Sequence, residues 1–175
     1  MKRDEPGPEH QPVQTKVSEV EGVETEKSPF VIYGGDNCLT ELFREEWQGG
    51  VFKGEPIEHL YTVSAPTGGT HNEFHFHEHT ADRYMILSGE VDVGLYDGRE
   101  GSPTFGAFLV VSLSTMPSQK PNLLRIPPGV WHSLRWRSSE GLLLNAKTPS
   151  YSRGLPDKFR VQPEDYPDAI NWNVE

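Results

Sequence analysis

The sequence predicts an all-β sandwich or barrel. From residue 57 onward, short segments rich in β-branched and aromatic residues follow one another, and turn-forming residues separate them at close spacing. No second segment with helical character follows the one expected before residue 50. A length of 175 residues fits one domain that buries its own core. Many short strands with frequent turns are typical of sandwiches and barrels.

The chain is expected to begin with a flexible acidic arm over residues 1–28. This stretch contains Pro6, Pro8 and Pro12, many glutamates, and no cluster of bulky apolar side chains. Such a composition does not bury enough apolar surface to offset the entropy of ordering. An arm that exchanges onto a partner subunit is the alternative. The folded domain is then expected over residues 29–175.

A short strand and a short helix are expected next. Residues 28–35 predict a strand that ends at Gly34-Gly35. Residues 36–50 predict a helix, because Asp36 or Asn37 can cap it and Gly49-Gly50 can end it. Its apolar stripe would be Leu39, Leu42 and Phe43.

Seven strand segments follow this helix. The clearest alternates Val91, Val93 and Leu95 with polar residues or glycine, after a turn at Ser88-Gly89. Residues 148–175 are rich in Pro, Asp and Tyr and predict an irregular C-terminal wrap. The segments are 57–66, 73–79, 84–98, 105–113, 123–127, 130–138 and 141–147.

Composition excludes several classes of partner. The formal net charge of −10 opposes bulk attraction to nucleic acid or to an anionic membrane. No apolar run approaches 18 residues, and the first residues lack the hydrophobic core of a signal peptide. The single cysteine, Cys38, allows no intramolecular disulfide and fits a reducing compartment. We expect a cytoplasmic protein whose partner is a small molecule.

One strand carries an unusual face. Side chains alternate between the two faces of a strand, so odd-numbered positions from 71 to 79 share one face and Phe74 and Phe76 share the other. A row of imidazoles with one carboxylate indicates either a metal site or an acid–base site. The odd-numbered positions are His71, Glu73, His75, His77 and His79.

Two spaced motifs resemble those of the cupin superfamily. The first is His75-x-His77, followed by Asp82 and by Gly89; the second runs from Pro127-Pro128-Gly129 to His132. The resemblance covers roughly residues 57–147. It implies a cupin double-stranded β-helix, which is a jelly-roll barrel, preceded here by the short N-terminal helix.

The residues of these motifs suit one divalent metal ion. His75, His77, Asp82 and His132 offer mixed nitrogen and oxygen ligands for iron, manganese, zinc, nickel or copper. His71 and His79 are expected at the rim, where either is an alternative to Asp82.

A narrower resemblance is to the deoxysugar epimerase branch of cupins, typified by dTDP-4-dehydrorhamnose 3,5-epimerase. It rests on GEVDVGLYDGREGSPTFG, RIPPGVWH and the closing INWN, and it implies a homodimer that needs no metal. In that branch a histidine base supported by an aspartate removes a proton beside a keto group, and a tyrosine is the acid. His75 matches the base. Asp82 replaces an active-site lysine and Asn145 replaces the tyrosine, so Tyr151 is the remaining candidate for the phenol.

Three functions therefore stay open. The first is an epimerase-branch cupin that acts on or binds a nucleotide-linked keto sugar or a similar small carbohydrate. The second is a metal-dependent oxygenase or isomerase, and the third is a non-catalytic small-molecule-binding cupin. Arg135 and Arg137 are expected to point outward, opposite His132. The candidate substrate-binding residues are Arg83, Glu73, His79, Trp136 and Asn145.

Overall fold

The structure is a computed structural model. It describes residues 13–15, 19–33, 37–45, 47, 51–52, 54–65, 73–115, 118–149, 154 and 156–170. The strands are β1 (Val13–Thr15), β2 (Glu24–Lys27), β3 (Phe30–Tyr33), β4 (Asn37–Thr40), β5 (His59–Ser64), β6 (His75–His77), β7 (Ala81–Ser88), β8 (Glu90–Asp97), β9 (Phe108–Ser114), β10 (Leu123–Ile126), β11 (Val130–Trp136), β12 (Leu142–Thr148) and β13 (Lys158–Arg160); a single 3-10 turn covers Pro163–Asp165.

Two antiparallel sheets form the body of the molecule. The six-stranded sheet has the order β1-β2-β10-β7-β12-β5, and the five-stranded sheet has the order β13-β6-β11-β8-β9. Strands β3 and β4 form a separate antiparallel pair. The larger sheets share one apolar core, to which both contribute. The all-β prediction is confirmed.

Strand alternation builds this core. In β8, Val91, Val93 and Leu95 are fully buried inside, as their spacing predicts. Asp92 lies on the opposite face, where Arg135 Nη2 is 3.1 Å and Arg137 Nε is 2.6 Å from its Oδ2 atom. The two arginines therefore point away from the core, as expected.

A second apolar cluster covers the outer face of the six-stranded sheet. Trp47, Val51 and Phe52 pack there against Met85 and Leu123. Burial of these large side chains fixes the segment before β5 against the sheet.

This segment contains the main difference from the sequence prediction. Residues 36–50 were expected to form a helix, but Asn37–Thr40 is a strand paired with Phe30–Tyr33, and the described residues of that range contain no helix. The helix prediction was wrong. An isolated helix of this length is marginal in water. Strand pairing and burial of Trp47 stabilise the observed conformation of these residues more than a short helix would.

The C-terminal part of the predicted arm, residues 19–28, is also part of the folded domain. Val20 and Val23 are buried in the core, and β2 pairs with β10 in the six-stranded sheet. The expectation of flexibility therefore does not hold for residues 19–28. Residues 1–12 and 16–18 of the arm lie outside the described part of the chain.

The C-terminal segment closes one end of the five-stranded sheet. Strand β13 pairs with β6, and Val161, Tyr166 and Ile170 pack around Phe74. This segment thereby covers the outer aromatic face of the histidine strand. Among the described residues, no helix is long and apolar enough to span a membrane.

Candidate active site

A cavity of about 340 Å³, lined by polar and ionisable residues, opens between the two sheets beside the histidine strand. Its walls come from β5 and β12 on one side and from β6 and β13 on the other. The lining residues are His59, Tyr61, His75, His77, Lys147 and Lys158.

Three histidines meet at this cavity because strand alternation and strand pairing act together. His75 and His77 point inward from β6, and His132 of β11 lies directly opposite His75 in the ladder. The ring centroids of His75 and His132 are 4.2 Å apart. One ring nitrogen from each of the three histidines lies within 4.8 Å of the others.

Asp82 is the buried anion of the site. Its Oδ2 atom lies 3.0 Å from His132 Nε2 and 3.5 Å from His77 Nε2, and its Oδ1 atom lies 3.0 Å from Lys147 Nζ. Asn145 Nδ2 donates a further hydrogen bond of 2.8 Å to Oδ1. Burial acts to raise the pKa of Asp82, but the hydrogen bond to His132 and the charges around the carboxylate lower that pKa below its ordinary value.

Asn145 organises the wall opposite the histidines. It faces Tyr61 across the β12–β5 ladder, and its amide Nδ2 donates to the Tyr61 hydroxyl at 2.8 Å. Its Oδ1 atom accepts the backbone N–H of Arg83 at 3.1 Å. Burial, with the nearby charge of Asp82, raises the pKa of Tyr61 to about 12, so the phenol carries its proton at neutral pH.

The histidines of β6 are held neutral. Burial, with the proximity of His132 and Lys158, lowers the pKa of His75 far below its ordinary value. Burial and the charge of Lys147 outweigh the attraction of Asp82 and lower the pKa of His77 to about 4. A neutral imidazole keeps one lone pair, which is what a general base or a metal ligand requires.

Backbone carbonyls orient the three rings. Nδ1 of His77 lies 3.2 Å from the carbonyl oxygen of Asp157, and Nδ1 of His132 lies 3.0 Å from that of Val130. Nδ1 of His75 makes a longer contact of 3.4 Å with the Glu73 carbonyl oxygen. For His75 and His77 these contacts favour a proton on Nδ1, which leaves the Nε2 lone pair directed inward, whereas Nε2 of His132 must carry a proton to donate to Asp82. Within the described residues, no hydrogen bond reaches Nε2 of His75.

The structure brings together the central residues that the sequence selected. His75, His77, Asp82 and His132 converge, and Asn145 contacts Asp82 directly. His71 and Tyr151 lie outside the described residues.

Four expected substrate-binding residues lie elsewhere. Arg83 is fully buried, and its guanidinium donates to the carbonyls of Glu55, Pro56 and Ala146, so it holds the preceding loop and does not face the cavity. Trp136 is buried in the apolar core and packs on Gly141. Arg83 is thus buried on the far side of the six-stranded sheet, and Trp136 is buried between the two sheets. Neither side chain can reach the cavity.

The other two are surface residues. The side chain of His79 is 73% exposed beside Glu78, as a rim residue would be. The Glu73 carboxylate is exposed and lies 3.6 Å from Arg160 Nη1, although its backbone carbonyl contacts His75.

Sequence reasoning missed two groups that face the cavity. Lys147 was not among the predicted site residues, yet its ammonium lies 2.8 Å from His77 Nε2 and is buried. Lys147 lies two residues after Asn145 on the same strand, so strand alternation places both side chains on one face, and this spacing could have identified it. Tyr61 had been given no role, although it stands two residues from His59 on the inner face of β5.

Comparisons with known proteins agree with this architecture. No protein-family model matches the chain. The probable low-salt glycan biosynthesis epimerase Agl13 of Haloferax volcanii is 30% identical over 139 residues, which cover 78% of this chain and 85% of that protein. The spore coat polysaccharide biosynthesis protein SpsL of Bacillus subtilis is 35% identical over 108 residues, or 61% of this chain and 70% of that protein.

A solved structure supports the fold. The dTDP-4-dehydrorhamnose 3,5-epimerase of Bacillus anthracis superposes with a TM-score of 0.76 at 16% identity, covering 94% of this chain and 92% of the other. The likeness confirms the jelly-roll prediction. Together with the similarity to the Haloferax epimerase along most of its length, it shows that the chain belongs to the deoxysugar epimerase branch of the cupin superfamily.

Proposed function

We propose that this chain removes the proton beside the keto group of a nucleotide-linked keto sugar, with His75 as the general base. One observation carries the proposal: a neutral imidazole, whose Nε2 atom has no protein partner within the described residues, lines the cavity between the two sheets. A base that is neutral at physiological pH and faces a cavity can accept a proton from a bound substrate. The epimerases among its relatives support the substrate class.

Return of the proton needs an acid on the other wall. Tyr61 belongs to the six-stranded sheet and His75 to the five-stranded sheet, and both line the cavity between them. Because Asn145 donates to the Tyr61 oxygen, the phenol proton remains available to a ligand. Delivery from this wall would place the proton on the face opposite that attacked by His75, which is an epimerisation. Tyr151 remains the alternative to Tyr61 as the acid.

Hydrogen exchange tests the proposal directly. The purified chain is incubated with a dTDP-4-keto-6-deoxy sugar in deuterium oxide, and deuterium at the carbons beside the keto group is followed by mass spectrometry. We expect incorporation by the wild-type chain and a loss of about 100-fold or more in His75→Asn. His79→Asn is the matched control, because that ring is on the surface. Absence of exchange with the wild-type chain would remove the proposal.

A metal-dependent enzyme is the second candidate, because three histidine nitrogens lie within 4.8 Å of one another beside Asp82. Their type and number suit a divalent ion such as iron, manganese or zinc. Lys147 counts against this candidate. Its ammonium takes up the lone pair of His77 Nε2 and adds a positive charge where the ion would lie.

Metal analysis separates the two candidates. Stoichiometric metal in the wild-type chain that is lost in His77→Ala would support the second candidate. No binding of a divalent ion at micromolar concentration would eliminate it. If neither exchange nor metal is found, a non-catalytic small-molecule-binding cupin remains, and titration with the nucleotide sugar tests it.

We also propose that the chain acts as a homodimer in the cytoplasm. The dimer is expected because related epimerases of this family are dimers, and the cytoplasm is expected because the single cysteine fits a reducing compartment. Light scattering after gel filtration would contradict the dimer if it gave the 19.7 kDa mass of one chain.

A further inference from the structure

Lys147 and Asp82 form a buried ion pair across two neighbouring strands. They are directly opposite in the β12–β7 ladder, and their side chains are 6% and 2% exposed. The pair lies within the barrel and reaches the cavity through Lys147. Buried ammonium groups are rare, because removal from water costs several kcal/mol unless partners compensate.

The hydrogen-bond capacity of this ammonium is not fully used. A protonated lysine carries three N–H donors. One is directed at Asp82 Oδ1 at 3.0 Å and one at His77 Nε2 at 2.8 Å. His77 can accept, because its Nδ1 atom contacts the Asp157 carbonyl oxygen and so carries the ring proton. Within the described residues, the third N–H has no protein acceptor, and it belongs to a side chain that lines the cavity.

A purely structural role would explain only part of this geometry. Neutralisation of Asp82 requires the ammonium to lie beside the carboxylate, which it does. It does not require the same ammonium to contact His77 and line the cavity that His75 also lines. Both features are expected of a group that binds an oxygen atom of a ligand.

We propose that Lys147 donates its third N–H to the keto oxygen of the substrate and stabilises the enolate formed there. This inference rests on the proposed function. His75 takes the proton from carbon, the electrons of the C–H bond form the carbon–carbon double bond, and the carbonyl electron pair moves to oxygen. Lys147 stays protonated and holds the oxyanion by a charge-assisted hydrogen bond. When a proton returns to carbon, the carbonyl group forms again and no net charge is left.

The neighbouring groups fix the position of this donor. Asp82 and His77 hold the ammonium from two sides, and Asn145 holds Asp82. A donor that is already in place needs no reorganisation when negative charge develops, and this is the main source of such stabilisation. The position that a lysine occupies in the resembled branch is Asp82 here, so in this chain the cation enters from the neighbouring strand.

Kinetics of Lys147→Met test the inference. We expect kcat for deuterium exchange to fall about 100- to 1,000-fold, whereas KM and the dissociation constant of dTDP change less than about 3-fold, because the interaction grows only in the transition state. Lys120→Met is the matched control, since Lys120 pairs with Glu90 outside the cavity, and we expect wild-type exchange from it.

The same substitution in an Asp82→Asn background separates catalysis from charge neutralisation. There the carboxylate no longer needs a cation, so a structural role predicts that Lys147→Met costs nothing further. The inference predicts an additional loss of at least about 10-fold in kcat. Equal exchange by Asp82→Asn and by the double variant would overturn the inference. So would wild-type kcat in a folded Lys147→Met variant.

The two proposals fail in different ways. Exchange by the wild-type chain with normal rates in Lys147→Met leaves the proposed function intact and refutes the role of Lys147. No exchange by the wild-type chain refutes both.

Discussion

Removal of either member of the Asp82–Lys147 pair is expected to destabilise the fold strongly, whereas removal of both is not. Asp82 is 1% exposed and Lys147 is 5% exposed, and their charged atoms are 3.0 Å apart. Asp82→Asn leaves a buried ammonium without a counter-charge, and Lys147→Met leaves a buried carboxylate. Each single change is expected to cost about 3–5 kcal/mol.

The corresponding shift in melting temperature follows from the chain length. Unfolding entropy near 2.1 cal/mol/K per residue gives about 0.37 kcal/mol/K for this chain, so each single variant should melt about 8–14 °C below wild type. The double variant has no buried charge at this pair and should lie within about 2 kcal/mol of wild type. The four proteins form a double-mutant cycle that isolates the coupling between the two residues.

Thermal and urea denaturation followed by circular dichroism measure this coupling. We expect a coupling energy above about 2 kcal/mol. Additive single effects, with the double variant less stable than either single variant, would refute the reasoning that the two charges compensate each other. The pH dependence gives an independent check. The folded-state pKa of Asp82 is depressed, so its stabilisation is present above the ordinary carboxyl pKa and is lost as the pH falls below about 4.

Three further predictions concern the site and the fold. Because burial lowers the pKa of His75, exchange should persist at about pH 5.5, where an ordinary histidine near 6.5 is largely protonated; an acid limb near 6.5 in the pH–rate profile would contradict this. Tyr61→Phe should lower exchange or the yield of epimer about 100-fold with little effect on melting temperature, and wild-type activity in that variant would assign the acid to Tyr151 instead. Arg83→Met should lower stability by about 3 kcal/mol or more in denaturant titrations, because it removes the buried guanidinium that donates to the carbonyls of Glu55, Pro56 and Ala146. A role in substrate binding would instead raise KM in a stable protein.

Strand alternation made much of the candidate site predictable. The spacing of His75 and His77 places both rings on one face of a strand, and His132 lies on the same face of the neighbouring strand in the same sheet. The turn at Ser88-Gly89 was also predictable from the sequence. Gly89 has a φ of 83°, and a Cβ atom there would lie 2.6 Å from the Glu140 carbonyl oxygen, so only glycine fits.

Local sequence patterns gave wrong predictions in two segments, where contacts with distant residues favour a different structure. The residues around Leu39 carry helix-like spacing, but pairing with Phe30–Tyr33 gives a strand there. Residues 1–28 contain no cluster of bulky apolar side chains and were expected to be flexible, yet Val20 and Val23 of this arm fill the core between the sheets. In both cases the deciding contacts come from residues that are distant in the chain or belong to another strand.

The sequence by itself determined the all-β class, the family resemblance and the inward direction of the histidine pair, because alternation along a strand is a local property. Only the tertiary structure decided which charges meet. Asp82 appeared in the sequence as a candidate metal ligand, and pairing with β12 makes it the partner of Lys147, 65 residues later in the chain. Such partners are set by the register between strands, which depends on the packing of the whole barrel and not on the residues beside them in sequence.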